Sequence, residues 1–91
     1  MPTGDYHDQS TTALTANYVQ FRPSTPAKSY TVINDDAAKV VYVSWDGTHI
    51  IKKVMPGEVY NRNPGNGYVS AVYLESLAAD ADYRLEFEPG T

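Results

Sequence analysis

Cysteine is absent from this sequence. That excludes disulfides, thiolate zinc centres and cysteine nucleophiles together. Histidine is scarce, with only two, His7 and His49. No second histidine stands at ligand spacing from His7-Asp8, and a metal centre needs three or four converging ligands. Neither a metal nor any other cofactor is expected. Basic residues are few: 7 Lys and Arg face 11 Asp and Glu, for a net charge of −4. The imbalance is strongest late in the chain, where Glu75, Asp80, Asp82, Glu86 and Glu88 face only Arg84. Phosphate-backbone binding needs clustered Lys and Arg, so nucleic acid is not an expected partner. No apolar run approaches the ~20 residues that span a bilayer, so no membrane partner is expected either. The opening Met1-Pro2-Thr3-Gly4-Asp5 lacks the basic and apolar regions of a secretory signal, which implies synthesis in a cytoplasm.

Catalytic constellations are missing as well. His49 follows a turn and has no nucleophile and orienting group beside it in sequence. Asp35-Asp36 reads as a pair shaping a turn, since Asp side chains bond to nearby backbone. Nothing locates the sugar-sized gap that glycosidase carboxylates flank. Gly65-Asn66-Gly67 lacks the lysine and the strand–loop–helix setting of a phosphate loop. The chain is not expected to be an enzyme.

What is present is β patterning. The 91 residues make one domain, of a size that often leans on oligomerisation or on a larger assembly for stability. Residues 1–17 are rich in Thr, Ser, Asp and Gly and read as an extended arm, able to lie over a neighbour as an added strand. Residues 18–91 read as a single β domain. Strands are expected at 18–22, 30–33, 40–45, 49–55, 58–60, 68–74 and 83–88. The last has clean alternation, with Tyr83, Leu85 and Phe87 inward and Arg84, Glu86 and Glu88 outward. Asp46-Gly47 reads as a type I′ hairpin turn. Adjacent Lys52 and Lys53 point to opposite faces, which places one of them at an edge, a bulge or an interface. Ser76 to Asp82 is a short helical turn or loop. The fold class is all-β: a small antiparallel β-sandwich, or a partly open barrel, of six to seven strands with an N-terminal arm. The expected core is Val19, Phe21, Val32, Val41, Val43, Trp45, Ile51, Val72, Leu74, Leu85 and Phe87.

Aromatic residues are plentiful, with 8 Tyr and 1 Trp. They fit sheet packing, protein interfaces or sugar stacking. Tyr6, Leu14, Tyr18, Phe21 and Arg22 are the candidates for protein contact on the arm side. Trp45, His49, Tyr60, Asn61, Asn63 and Tyr68 are the candidates for a glycan platform.

The segments Tyr30-Thr31-Val32-Ile33-Asn34-Asp35, Val41-Tyr42-Val43-Ser44-Trp45-Asp46-Gly47 and Val54-Met55-Pro56-Gly57-Glu58 resemble a loose class of small tailed-bacteriophage virion proteins. The resemblance covers roughly residues 29–74. It implies a capsid decoration (cement) protein that stabilises contacts between coat subunits. The implied partners are the major capsid protein or other virion proteins, together with further copies of the chain in a homo-oligomer. The implied location is the virion. The alternative from the same class is a carbohydrate- or receptor-binding module of a fibre or tail tip, or a neck or tail accessory subunit. On the decoration reading, deleting residues 2–16 should weaken attachment and leave the β fold intact.

Overall fold

The computed structural model describes residues 3–65, 67–76 and 80–90. Eight strands follow one another: β1 (Tyr6–Asp8), β2 (Val19–Phe21), β3 (Ala27–Asn34), β4 (Val41–Ser44), β5 (Ile50–Val54), β6 (Val59–Arg62), β7 (Val72–Glu75) and β8 (Tyr83–Pro89). They form two four-stranded antiparallel sheets, ordered β1-β8-β3-β6 and β2-β7-β4-β5. The described residues include no helix. The 76–82 segment lies partly outside the described residues.

Sequence periodicity explains the long strands. In β8, Tyr83, Leu85 and Phe87 are buried, while Arg84, Glu86 and Glu88 are exposed. In β3, a bulge between Ala27 and Ser29 resets the alternation, after which Tyr30, Val32 and Asn34 all face inward. One buried cluster draws on both sheets: Phe21, Val41, Val43, Val72 and Leu74 from one, Tyr30, Val32, Tyr83, Leu85 and Phe87 from the other. Val19 and Ile51 pack partly buried against it.

Four expectations need correction. The first concerns the arm. Residues 3–17 do not extend away from a domain that starts at residue 18. Tyr6, His7 and Asp8 pair with Glu86, Leu85 and Arg84, which makes β1 the strand beyond the expected six to seven. Leu14 is fully buried in the core, a burial that stabilises by about 2 kcal/mol. The chain around it is pinned: Ser76 N donates to Thr15 O at 3.0 Å, Asp80 N to Leu14 O at 3.1 Å, and the Tyr83 hydroxyl to Thr12 O. A polar stretch with one aliphatic residue carries no periodicity, but backbone pairing to β8 needs none.

The second concerns Trp45, which was expected in the core and is 55% exposed. Strand β4 stops at Ser44, and Trp45 falls just past the last paired residue. The third is the Asp46-Gly47 turn. A type I′ turn needs positive φ at both positions, and only Gly47 has it, at 79°. A five-residue loop, 45–49, forms instead. The Asp46 carboxylate accepts from Thr48 N at 2.8 Å and His49 N at 2.9 Å, so side-chain capture of the backbone replaces the tight turn. The fourth is the strand expected at 68–74. Only Val72–Glu75 pairs as a strand, and Val69 makes a single bridge to Ala27.

The lysine expectation is met twice. β5 lies at a sheet edge and its pairing with β4 skips Ile51, a bulge. Lys52 turns to Glu58 at 2.8 Å, and Lys53 lies over the Tyr42 ring at 6.0 Å.

Candidate functional site

The two flanks of the molecule differ. On one, β1 and β2 are stitched together. Thr3 and Arg22 form a parallel bridge, Gly4 N donates to Arg22 O at 3.1 Å, and the His7 ring lies 4.9 Å from Phe21. On the other, β5 and β6 are both edge strands, joined by the Pro56-Gly57 turn. Ile50, Met55 and Val59 on this flank are each about half exposed or more, at 48%, 51% and 60%.

A cleft of about 230 Å³ opens where four elements meet. Tyr30 comes from β3, Trp45 follows β4, Arg62 ends β6, and Tyr68 to Ala71 lead into β7. Each side chain has a local cause. Tyr30 faces inward because of the β3 bulge. The Arg62 guanidinium lies 4.7 Å from the Trp45 ring centroid, a cation–π contact. The Tyr68 ring rests against Gly90, where an added Cβ would sit 2.5 Å from Tyr68 Cε1 and 2.9 Å from the Pro26 carbonyl oxygen. Tyr68 nevertheless stays 61% exposed.

The electrostatics of the cleft are simple. Arg62 is the one charged residue in its described lining. Tyr30 is 1% exposed, and no described residue meets its hydroxyl at full hydrogen-bond geometry, although the polar groups of Trp45 and Tyr60 lie close enough to act on it. Burial, reinforced by the neighbouring Tyr60, pushes the Tyr30 phenol well above its usual range, so it stays protonated. His7 Nε2, the Tyr18 hydroxyl, Gln20 Oε1 and Ser76 Oγ are likewise buried without a partner among the described residues; Asn34 is the opposite case. Asn34 is fully buried and its Nδ2 donates to Lys39 O and Val54 O, both at 2.8 Å, while its Oδ1 accepts from Asp36 N at 2.9 Å. Asp36 Oδ1 accepts from Ala38 N and Lys39 N, and these bonds hold its carboxyl at about 2. Asp35 pairs with Arg84 through both oxygens. Asp35-Asp36 is thus a turn and an anchor.

The residues singled out for protein contact do not form one surface. Leu14 and Phe21 are fully buried in the chain's own core. Burial of their apolar surface within the fold leaves none for a neighbour. Tyr6 is half exposed on β1, where its hydroxyl donates to Asp8 at 3.2 Å. Tyr18 is partly buried, and Arg22 is exposed beside Thr3. Of the glycan candidates, the fold brings only Trp45 and Tyr68 into the cleft. His49 is held by Asp46 at 2.8 Å outside it. Tyr60 packs edge-on against Tyr30 with ring centroids 6.2 Å apart. Asn61 donates to Thr31 Oγ1 at 2.9 Å, and Asn63 accepts from Gly65 N at 2.8 Å. These three are committed to the fold, Tyr60 by ring packing and the side chains of Asn61 and Asn63 by hydrogen bonds within it. Tyr30 and Arg62 escaped sequence reading. Arg62 stands between two residues that were noticed, and Tyr30 hides in a strand whose core face looks ordinary.

No family model, curated protein or solved structure matches this chain.

Proposed function

We propose that this protein is a small β-sandwich that serves as a structural, non-catalytic subunit of a tailed-phage particle, docking on another virion protein through its β5–β6 flank. The observation that carries the reading is the asymmetry of the flanks. One, where β1 and β2 are also edge strands, is bridged by backbone bonds from Thr3 and Gly4 to Arg22. The other offers two unpaired edges beside exposed Ile50, Met55 and Val59. Unpaired edges accept an added strand, and apolar residues next to them supply buried area. One of the phage-like segments, Val54 to Glu58, supplies the turn between these edges.

Charge favours a heterologous partner here. Two copies pairing antiparallel through β5 would bring Lys52 and Lys53 against the same lysines, and like charges across a strand pair are destabilising. A strand with acidic side chains fits better. A homo-oligomer, where it forms, uses a different surface. The grip also moves. The 3–17 segment is spent on its own fold, so deleting residues 2–16 would remove β1 and Leu14 and is no clean test of attachment.

The test is co-sedimentation with tailed-phage particles and with coat shells assembled from their capsid protein. Wild type should pellet with the shells. The double variant I50E/V59E should stay in the supernatant while its melting temperature is nearly unchanged, since both positions are surface ones. Wild type that never pellets with any particle component, or a variant that pellets equally, overturns the reading.

A further inference from the structure

We propose that the cleft between Trp45 and Tyr68 binds a single pyranose ring bearing a carboxylate, an acidic sugar unit. The cleft meets the docking flank at Arg62, the last residue of β6, but Ile50, Met55 and Val59 do not line it.

The first argument is the Tyr30 hydroxyl. It belongs to a residue that is 1% exposed, it lines the cleft, and it lacks a partner among the described residues. A buried hydroxyl without a partner is destabilising, and of the five buried side-chain atoms without a partner among the described residues only that of Tyr30 belongs to the cleft lining. The hydroxyl is closed to solvent in this structure, so a ligand hydroxyl or ring oxygen satisfies it once a neighbouring side chain of the cleft lining shifts aside. The phenol is protonated and so both donates and accepts, as a sugar hydroxyl does.

The second argument is the walls. Trp45 and Tyr68 stand 55% and 61% exposed, and each ring has a contact that holds it: Arg62, itself in the cleft lining, for Trp45, and Gly90 for Tyr68. Fixed aromatic rings facing a cleft give contact area at little entropic cost. The apolar C–H face of a pyranose matches such a wall.

The third argument is charge and size. Arg62 brings one guanidinium, and no carboxylate of a described residue pairs with it. A planar fork of this kind recognises a carboxylate through two parallel hydrogen bonds. One cation in a protein of net charge −4 fits one carboxylate. It does not fit the clustered charge of a nucleotide phosphate chain. The volume of about 230 Å³ lies below the ~300 Å³ lower end of sites for larger ligands, which limits the occupant to one ring.

The experiment is a titration of the intact chain, followed by amide and indole NMR shifts, with glucuronate, galacturonate and N-acetylneuraminate. Glucose and adenosine monophosphate serve as contrasting probes. At least one acidic sugar should give saturable shifts at the Trp45 indole, with weaker binding of glucose and of the nucleotide. Trp45→Ala should abolish the response. Arg62→Gln should cut affinity for the acidic sugar about tenfold and bring it level with glucose. Tyr30→Phe should weaken binding several-fold without lowering the melting temperature, which separates a ligand contact from a structural role. The proposal is overturned by no saturable response to any of the three acids, by equal binding of glucose, by tighter binding of the nucleotide, or by binding that survives Trp45→Ala.

Discussion

Two inward-facing polar side chains on the same strand behave in opposite ways. Asn34 ends β3 with both polar atoms of its side chain engaged, and its backbone is engaged too: its N–H donates to Glu58 O at 3.0 Å, and its carbonyl accepts from Gly57 N at 2.8 Å. Tyr30, four residues earlier on the same face, leaves its hydroxyl unmet. The difference separates architecture from readiness to bind. A saturated buried group locks chain segments together. An unsaturated one at the wall of a cleft keeps a bonding capacity in reserve.

The largest expected effect breaks the Asn34 side. Asn34→Leu strands two carbonyls and one N–H, and should lower stability by about 3 kcal/mol. For a domain of this size that is a fall in melting temperature of about 15 °C, readable by circular dichroism. A change of a degree or two would mean that water replaces the amide and that the corner is no lock.

The next strikes the cleft from behind. Gly90→Ala pushes a methyl group into the Tyr68 ring and the Pro26 carbonyl. It should cost about 1 kcal/mol and shift the emission of Trp45, the sole tryptophan. Unchanged emission would show that Tyr68 does not shape the cleft.

Acid sharpens the comparison further. The folded Asp36 carboxyl titrates at about 2, below the roughly 3.9 of an unfolded aspartate. Its contribution is therefore complete above about pH 4 and is lost as pH falls toward 2. Asp36→Asn should remove its share of the slope across that window, measured by urea unfolding at stepped pH, and leave the share of Asp8, Asp46, Glu58 and Glu88, whose carboxyls are also held low by hydrogen bonds in the fold. The cleft has no carboxylate and should add nothing to this slope.

The smallest effect is the most telling. Tyr30→Phe removes a hydroxyl that bonds to no described residue, so stability should change by less than about 0.5 kcal/mol, or rise slightly. A loss as large as that of Asn34→Leu would reveal a hidden partner and erase the contrast.

How much was readable beforehand depends on range. The alternation of Tyr83, Leu85 and Phe87 was plain, because a strand with one buried face writes period two into its residues. Val41, Val43, Val72 and Leu74 followed the same rule. Leu14 did not, since a lone aliphatic residue among Thr, Ser and Asn has no period, and its burial depends on β1 finding the edge of β8. Trp45 was misjudged for the opposite reason: alternation was carried one residue past the end of its strand. Trp45 and Tyr68 were noticed as aromatics, but Tyr30 and Arg62 carried no signal. The four lie on separate elements, and no local rule says which strand ends share a corner.

By itself the sequence determined the class of object: an all-β chain without cysteine chemistry, patterned for antiparallel strands, with its charge on outward faces. These properties are local, written in composition and in the spacing of neighbours along the chain. Tertiary structure alone decided that residues 6–8 pair as a strand, that one flank is bridged at Arg22 while the other is joined only by its turn, and that a buried phenol, a guanidinium and two exposed rings meet around one cleft. Pairing between distant segments is settled by which arrangement buries apolar surface and satisfies backbone bonds together, and that competition is not local.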